Sequence, residues 1–213
     1  MEIELKYKIE SNEQMDAIWN DEFIASMEQK DSREELLIKA VYFDTEDFWL
    51  QRNHIAFRVR KEGDRLIGTL KWSDHDPSVK GLYIREEVNV PIYKEEYFMA
   101  PSAEIFKASK EGRELIEAVG DKPLIGIFET VFLRRKLRIE IGKTTCEVAL
   151  DKGEILASNC TAPISELEVE LFAGKQEDLL RIGKKIAEKY KLKPEPKSKY
   201  ARAISLFEIS KEK

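Results

Sequence analysis

The sequence predicts an α+β fold: a closed eight-stranded antiparallel β-barrel, or tunnel, with a charged lumen and helices on its outer surface. Three observations lead to this prediction. Eight segments alternate apolar and polar residues with period two. Their polar positions hold mostly Arg, Lys and carboxylates. The segments between them carry apolar stripes at helical spacing. A length of 213 residues suits one domain, which we expect to span residues 1–213.

The first strand shows the alternation clearly, because Glu2, Glu4 and Lys6 lie on one side while Ile3 and Leu5 lie on the other. Seven further strands follow the same pattern. In chain order, they are predicted at Ile38–Asp44, Ile55–Lys61, Leu66–Trp72, Leu82–Val90, Leu133–Ile141, Cys146–Asp151 and Glu166–Leu171.

Helical spacing predicts four amphipathic helices, the first of them with Asn12 as its N-cap. They are expected over Asn12–Met27, Ser102–Val119, Lys175–Leu192 and Lys199–Ser210. Their apolar stripes need an apolar surface to cover, so we expect them to pack outside the barrel. Loops are predicted at Glu62–Asp64, Ser73–Pro77 and Ala157–Pro163.

Closing the barrel with these helices on its outer surface turns the charged strand faces inward. Because unpaired buried charge is very costly, such a lumen must hold water or a charged ligand. The basic positions suit an anionic, oxygen-rich ligand such as phosphate. They are Lys6, Arg58, Arg60, Lys71, Arg85, Arg134, Lys136 and Arg138.

The acidic positions suit a divalent metal ion. Glu2 and Glu4 lie about 6.6 Å apart along one strand face, and Glu166, Glu168 and Glu170 repeat that spacing. Such carboxylates could hold Mg²⁺ or Mn²⁺, which would bridge to phosphate oxygens. The alternative is that the glutamates form cross-strand ion pairs with the Lys and Arg side chains.

Composition excludes several other classes of protein. The formal net charge of −5 argues against a nucleic-acid surface. Two cysteines and two histidines cannot build a Cys/His zinc site, so any metal must bind carboxylates. No segment is apolar enough to span a membrane, and the first residues lack a signal peptide. We therefore expect a cytoplasmic protein with no nucleic-acid or membrane partner. Its oligomeric state is not indicated.

A series of motifs resembles one known family. Glu2-Ile3-Glu4-Leu5-Lys6 matches the ExExK signature of the CYTH superfamily, the triphosphate tunnel metalloenzymes. The matching segments that follow, in order, are 42–45, 57–60, 69–71, 85–87, 132–136, 149–151, 166–168 and 198–200. The resemblance is closest to the bacterial inorganic triphosphatases, through 81–85 and 147–170.

The resemblance implies roles for individual residues. Metal would bind Glu2, Glu4, Glu166 and Glu168, with Asp151 and Glu87 completing the acidic side. Glu170 shares their face, so which two of Glu166, Glu168 and Glu170 bind metal stays open. The triphosphate would bind Lys6, Arg58, Arg60, Lys71, Arg85, Arg134 and Lys199, and strand parity adds Lys136. Glu2, Glu4, Lys6 and Glu168 are the expected catalytic residues.

Three functions agree with these features. The first is a divalent-metal-dependent hydrolase of inorganic triphosphate or another small triphosphate, with Mg²⁺ or Mn²⁺ as cofactor. The second is a class IV type adenylate cyclase, in which the 3′-hydroxyl of ATP replaces water as the nucleophile. The third is a polyphosphate or nucleotide sensor that binds without catalysis. The hydrolase is the leading hypothesis, because the motifs most resemble those of the triphosphatases.

Overall fold

The computed structural model describes residues 1–72 and 80–211. Its strands are β1 (Glu2–Lys8), β2 (Glu34–Thr45), β3 (Ile55–Glu62), β4 (Arg65–Trp72), β5 (Leu82–Ile92), β6 (Leu124–Ile141), β7 (Thr144–Ala157), β8 (Cys160–Ala173) and β9 (Lys193–Pro194). Its α-helices are α1 (Asn12–Trp19), α2 (Glu22–Ala25), α3 (Trp49–Arg52), α4 (Lys110–Val119), α5 (Gln176–Tyr190) and α6 (Lys199–Lys211). Two 3₁₀-helices span Glu95–Phe98 and Ala103–Phe106.

Eight strands form a closed antiparallel barrel, as the sequence predicted. Their order is β5-β4-β3-β2-β6-β7-β8-β1, and pairing of β1 with β5 closes the ring. The two-residue β9, which was not predicted, pairs with the end of β1. Successive side chains point to opposite faces of a strand, so in the closed barrel every second residue of each strand points inward.

Strand register brings charged residues of opposite sign together on the inner face. Lys6 lies opposite Glu168, and Glu2 lies opposite Arg85. Glu4 instead lies opposite another carboxylate, Glu170. Directly opposed side chains are about 4.5–5.5 Å apart at Cβ, so these residues are in contact range.

Apolar outer faces of the strands pack against helices in two clusters. In one, α1, α2 and α5 cover the barrel, and Ile182 of α5 packs with Leu5 and Val169. In the other, α4 and the second 3₁₀-helix contribute Leu115 and Phe106, which pack with Phe57. These clusters explain why the helical stripes are apolar.

Helix α6 closes one end of the barrel. Its Tyr200 and Ala203 pack in a third cluster with Tyr42, Phe128 and Phe132. Tyr42 and Phe132 belong to the strand face that lines the cavity. Thus α6 meets the inner face of the sheet, whereas α1, α4 and α5 cover the outer face.

Several predicted boundaries were wrong for local reasons. The helix predicted over Asn12–Met27 is broken, because Asp21 caps a second helix by accepting from the Ile24 N–H. The N-cap of α1 is Ser11 rather than the predicted Asn12, because Ser11 Oγ accepts a hydrogen bond from the Gln14 backbone N–H.

Two other predicted segments also differ from the structure. The segment Ser102–Val119 divides at Ser109, which caps α4. In place of the loop at Ala157–Pro163, a tight turn at residues 158–159 joins β7 to β8. The predicted turn at Glu62–Asp64 is confirmed, since β3 ends at Glu62 and β4 begins at Arg65. The predicted loop at Ser73–Pro77 lies outside the described residues.

In the described part of the chain, no helix is both long enough and apolar enough to cross a membrane.

Candidate active site

The barrel encloses a cavity of about 820 Å³. Its lining includes all eight residues predicted to bind triphosphate: Lys6, Arg58, Arg60, Lys71, Arg85, Arg134, Lys136 and Lys199. Of the predicted metal ligands, Glu2, Glu4, Glu87, Glu168 and Glu170 also line the cavity. Asp151 and Glu166 are fully buried and lie behind that lining.

A group at the α6 end of the cavity, here called the inner cluster, consists of Lys199, Asp151, Glu166 and Glu168. The carboxylate oxygens of its three acids lie within 4.8 Å of one another. Lys199 Nζ donates to Asp151 Oδ2 at 2.6 Å, to Glu168 Oε1 at 2.9 Å and to Glu166. Lys199 begins α6, so the helix brings its ammonium group into the position that a cation would take among these acids.

Further cations complete the neutralisation of the inner cluster. Arg134 donates to both oxygens of Asp151, at 2.7 and 2.6 Å, and to Glu168 at 2.5 Å. Arg202 of α6 donates to Glu166. Although burial opposes ionisation of Glu168, the charges of Lys199, Lys6 and Arg134 hold its pKa well below the ordinary value.

The acids of β1 pair with three cations. Lys6 donates to Glu168 at 2.5 Å and lies 3.3 Å from Glu4. Arg85 donates to Glu4 and lies 3.5 Å from Glu2. Lys71 bridges two strands, donating to Glu2 at 2.6 Å and lying 2.9 Å from Glu87. Most of the predicted basic residues therefore form ion pairs with predicted metal ligands.

Three acids, here called the outer carboxylates, are Glu2, Glu4 and Glu170. Among the described residues, Glu170 forms no ion pair, and Glu2 Oε2 has no hydrogen-bond partner although it is buried. Burial, together with the negative charges of Glu2 and Glu4, raises the pKa of Glu170 to about 8. Near neutral pH, Glu170 therefore becomes fully ionised only when a cation lies close to it.

The two arginines of β3 face the same cavity with fewer partners. Arg58 donates to the Tyr42 hydroxyl at 3.4 Å and, within the described residues, forms no ion pair. Arg60 Nε lies 2.9 Å from Glu62 Oε1. Burial, with the repulsion of Arg58, lowers the pKa of Arg60 to about 10. Burial acts to raise the pKa of Tyr42, but the charge and hydrogen bond of Arg58, together with the charges of Lys199 and Lys71, lower it.

The remaining basic residues pair with other acids or lie outside the cavity lining. Lys136 is 3.3 Å from Glu147 and 3.5 Å from Glu34. Arg138 is absent from the cavity lining described here, and its guanidinium stacks 4.6 Å from the centre of the Phe172 ring.

The cavity residues that sequence reasoning missed include Glu62, Glu147 and Phe172. Each continues the period-two pattern of its strand. Glu62 follows Arg60 by two residues, and Phe172 follows Glu170 by two, so strand parity carried one position further would have placed both on the inner face.

Comparison with known proteins agrees with this architecture. The CYTH domain family matches residues 1–204. The chain is 33% identical over 144 residues, 68% of its length, to an inorganic triphosphatase of Haemophilus influenzae. That match covers 38% of the relative, so the chain spans well under half of that protein's length.

Solved structures share the fold. A putative adenylyl cyclase from Hippeastrum, described as having a dominant triphosphatase activity, superimposes with a TM-score of 0.67 at 17% identity, covering 99% of this chain and 96% of that one. A putative adenylate cyclase from Bacillus halodurans gives a TM-score of 0.55 at 19% identity, covering 93% and 94%. At sequence identities of 17% and 19%, this structural similarity shows a shared fold.

Proposed function

Because the chain belongs to the CYTH domain family, we propose that it is a divalent-metal-dependent hydrolase that cleaves inorganic triphosphate, or a related small triphosphate, and releases phosphate. The observation that carries this proposal is the cavity's uneven charge. Arg58 and Arg60 are incompletely compensated on one side, and the outer carboxylates are incompletely compensated on the other. A phosphate chain with a divalent cation complements both sides at once. The activity named for the Haemophilus relative supports the same reaction.

Among the described residues, the acids whose oxygens all lie within 4.8 Å of one another are those of the inner cluster, but the outer carboxylates have fewer cation partners. Their donors are carboxylate oxygens, the ligands that Mg²⁺ and Mn²⁺ prefer. Glu170 has no cation partner among the described residues, and Glu2 Oε2 is buried without a hydrogen bond. In the inner cluster, by contrast, Lys199 already contacts all three acids. We therefore assign Glu2, Glu4 and Glu170 as the residues that would hold Mg²⁺ or Mn²⁺. Bound there, the ion would neutralise phosphate charge and favour ionisation of water.

The chain's own residues would bind and orient the phosphates. Arg58 and Arg60 lie two residues apart on one strand, so both guanidinium groups can donate to one phosphate chain and stabilise the charge that develops during transfer. Lys71 and Arg85 hold Glu2 and Glu4 at the cavity wall. Lys6 ties Glu4 to Glu168, which connects the outer carboxylates to the inner cluster. The walls of the barrel limit water around the reacting phosphorus.

Phosphate release from tripolyphosphate tests the proposal. We expect release with Mg²⁺ or Mn²⁺ and none when EDTA removes the metal. Absence of release with any divalent metal would contradict a hydrolase. Formation of cyclic AMP and pyrophosphate from ATP would instead favour the cyclase. Tight calorimetric binding of tripolyphosphate, with the ligand intact after long incubation with metal, would favour a sensor.

A variant of the first strand sharpens this test. Glu4→Gln removes one charge from the outer carboxylates, and we expect it to abolish turnover while far-ultraviolet circular dichroism keeps the wild-type spectrum. Glu10→Gln is the matched control, because Glu10 is exposed and pairs with Lys193 on the surface. Turnover by Glu4→Gln at saturating Mg²⁺ would mean that β1 has only a structural role.

A further inference from the structure

The basic row of β3 ends in a carboxylate. Inner-face residues of this strand follow the order Arg58, Arg60 and Glu62, and all three line the cavity. Successive members of the row lie about 6.6 Å apart along the strand. An extended anion that follows the two arginines therefore meets Glu62 next.

Register shows which residues of β2 lie beside this row. Arg58 lies opposite Tyr42, Arg60 opposite Ala40 and Glu62 opposite Ile38. Tyr42 contacts Tyr200 of α6, the helix that closes one end of the barrel. Ile38, the partner of Glu62, packs in the same cluster as Ala203 of α6, so α6 lies beside the register partners of the whole row.

Ion pairs hold the Glu62 carboxylate at the cavity. Its Oε1 lies 2.9 Å from Arg60 Nε, and its Oε2 lies 3.6 Å from Arg65. The Glu62 side chain is only 12% exposed, whereas that of Arg65 is 68% exposed. Because Arg65 is mostly exposed, solvent screens its attraction to Glu62, and Arg65 neutralises the Glu62 charge only weakly.

Two other acids belong to the lining of the same cavity. Glu147 and Glu170, register partners on β7 and β8, line the same cavity. Lys136 lies 3.3 Å from Glu147, and Glu170 forms no ion pair among the residues described. An anion that extends along β3 beyond Arg60 would approach the Glu62 carboxylate.

We propose that Glu62 is a specificity-determining residue that limits the length of the phosphate chain, favouring triphosphate over longer linear polyphosphates. This inference rests on the proposed function. The two arginines supply donors for a chain of a few phosphates, and each added phosphate past Arg60 brings negative charge beside the Glu62 carboxylate. Like charges brought together in a partly buried site disfavour binding, which discriminates against the longer ligand.

The test compares inorganic tripolyphosphate and tetrapolyphosphate as substrates of the full chain with Mg²⁺. Glu62→Gln keeps the size of the side chain and removes its charge, so we expect the ratio of kcat/KM for tetrapolyphosphate to that for tripolyphosphate to rise roughly tenfold. Glu62→Asp retains the charge and should keep the wild-type ratio. Glu35→Gln, which changes an exposed acid paired with Arg135 outside the cavity, should also keep that ratio.

A parallel loss of activity on both substrates, with an unchanged ratio, would overturn the inference, because it would mean that Glu62 only holds Arg60 in position. The same two ligands are compared by thermal shift without metal, where Glu62→Gln should gain more stability from tetrapolyphosphate than the wild type does. If neither substrate is hydrolysed by any protein, the proposed function fails. The thermal shifts then decide the role of Glu62, and equal shifts in wild type and variant refute it.

Discussion

The inner cluster and the arginines of β3 differ in how many ion pairs their buried charges form. In the inner cluster, Asp151, Glu166 and Glu168 all contact the Lys199 ammonium, and arginines add further bonds. Arg58, although half-buried in the same cavity, forms no ion pair with any described residue. Because buried charge is tolerated when it is paired, the first region is complete by itself, whereas the second gains most from an anion that comes from outside.

The largest expected effect comes from breaking the inner cluster. Lys199→Met would leave three fully or nearly fully buried carboxylates without their shared ammonium group. We expect the free energy of unfolding to fall by roughly 3–5 kcal/mol, as for other buried pairs that lose one partner. Urea denaturation would measure it. Lys197→Met, an exposed change two residues away, should cost far less. A loss below about 1 kcal/mol for Lys199→Met would mean that the inner cluster is not a stabilising centre.

Arg58→Ala should change activity rather than stability. No described ion pair is lost, so the free energy of unfolding should stay close to that of the wild type. We expect kcat/KM for tripolyphosphate to fall roughly 10- to 100-fold, as for loss of a charge-assisted bond to the substrate. Tripolyphosphate should also raise the melting temperature less than in the wild type. Arg135→Ala, which removes an arginine paired with Asp16 and Glu35, is the control. Equal ligand-induced shifts in Arg58→Ala and the wild type would place Arg58 outside the site.

Glu170→Gln should have an effect whose size depends on pH, small near pH 5 and larger toward pH 8. The pKa of Glu170 rises from 4.5 to about 8 on folding, so the stability that its protonated form contributes is present below pH 4.5 and is lost as pH rises through about 8. Gln cannot ionise, so the variant should gain stability relative to the metal-free wild type between pH 5 and pH 9.

Thermal melts in EDTA at several pH values would measure this difference. With Mg²⁺ added, the wild type should gain stability and Glu170→Gln should gain less. Glu154→Gln, an exposed change on β7, should follow the wild type throughout. Parallel pH profiles for Glu170→Gln and the wild type would remove Glu170 from the outer carboxylates.

Strand periodicity predicted the barrel because a period-two pattern states directly which side chains share a face. It assigned Arg58 and Arg60 to the cavity, which the structure confirms. It could not choose partners across strands, since that depends on register: Glu4 lies opposite Glu170, whereas Lys6 lies opposite Glu168. The alternation of side chains along strands cannot place Lys199, because Lys199 lies on a helix. Only the family resemblance indicated that it belongs to the site. The predicted amphipathic α6 likewise gave no sign that its partner surface would be the inner face of the sheet.

The pairing of β1 has a consequence for how the protein folds. Lys6 and Glu168 are 162 residues apart in sequence, yet their strands are hydrogen-bonded neighbours. The barrel can therefore close only after β8 has been synthesised. Contacts between residues so far apart in sequence slow folding, because the chain must lose the conformational entropy of the long intervening loop before the contact forms. During synthesis β1 can pair with β5, but its edge toward β8 would stay unpaired for most of translation. The charges at Glu2, Glu4 and Lys6 would discourage edge-to-edge aggregation in that interval. The side chains proposed to serve catalysis would then also protect the nascent chain.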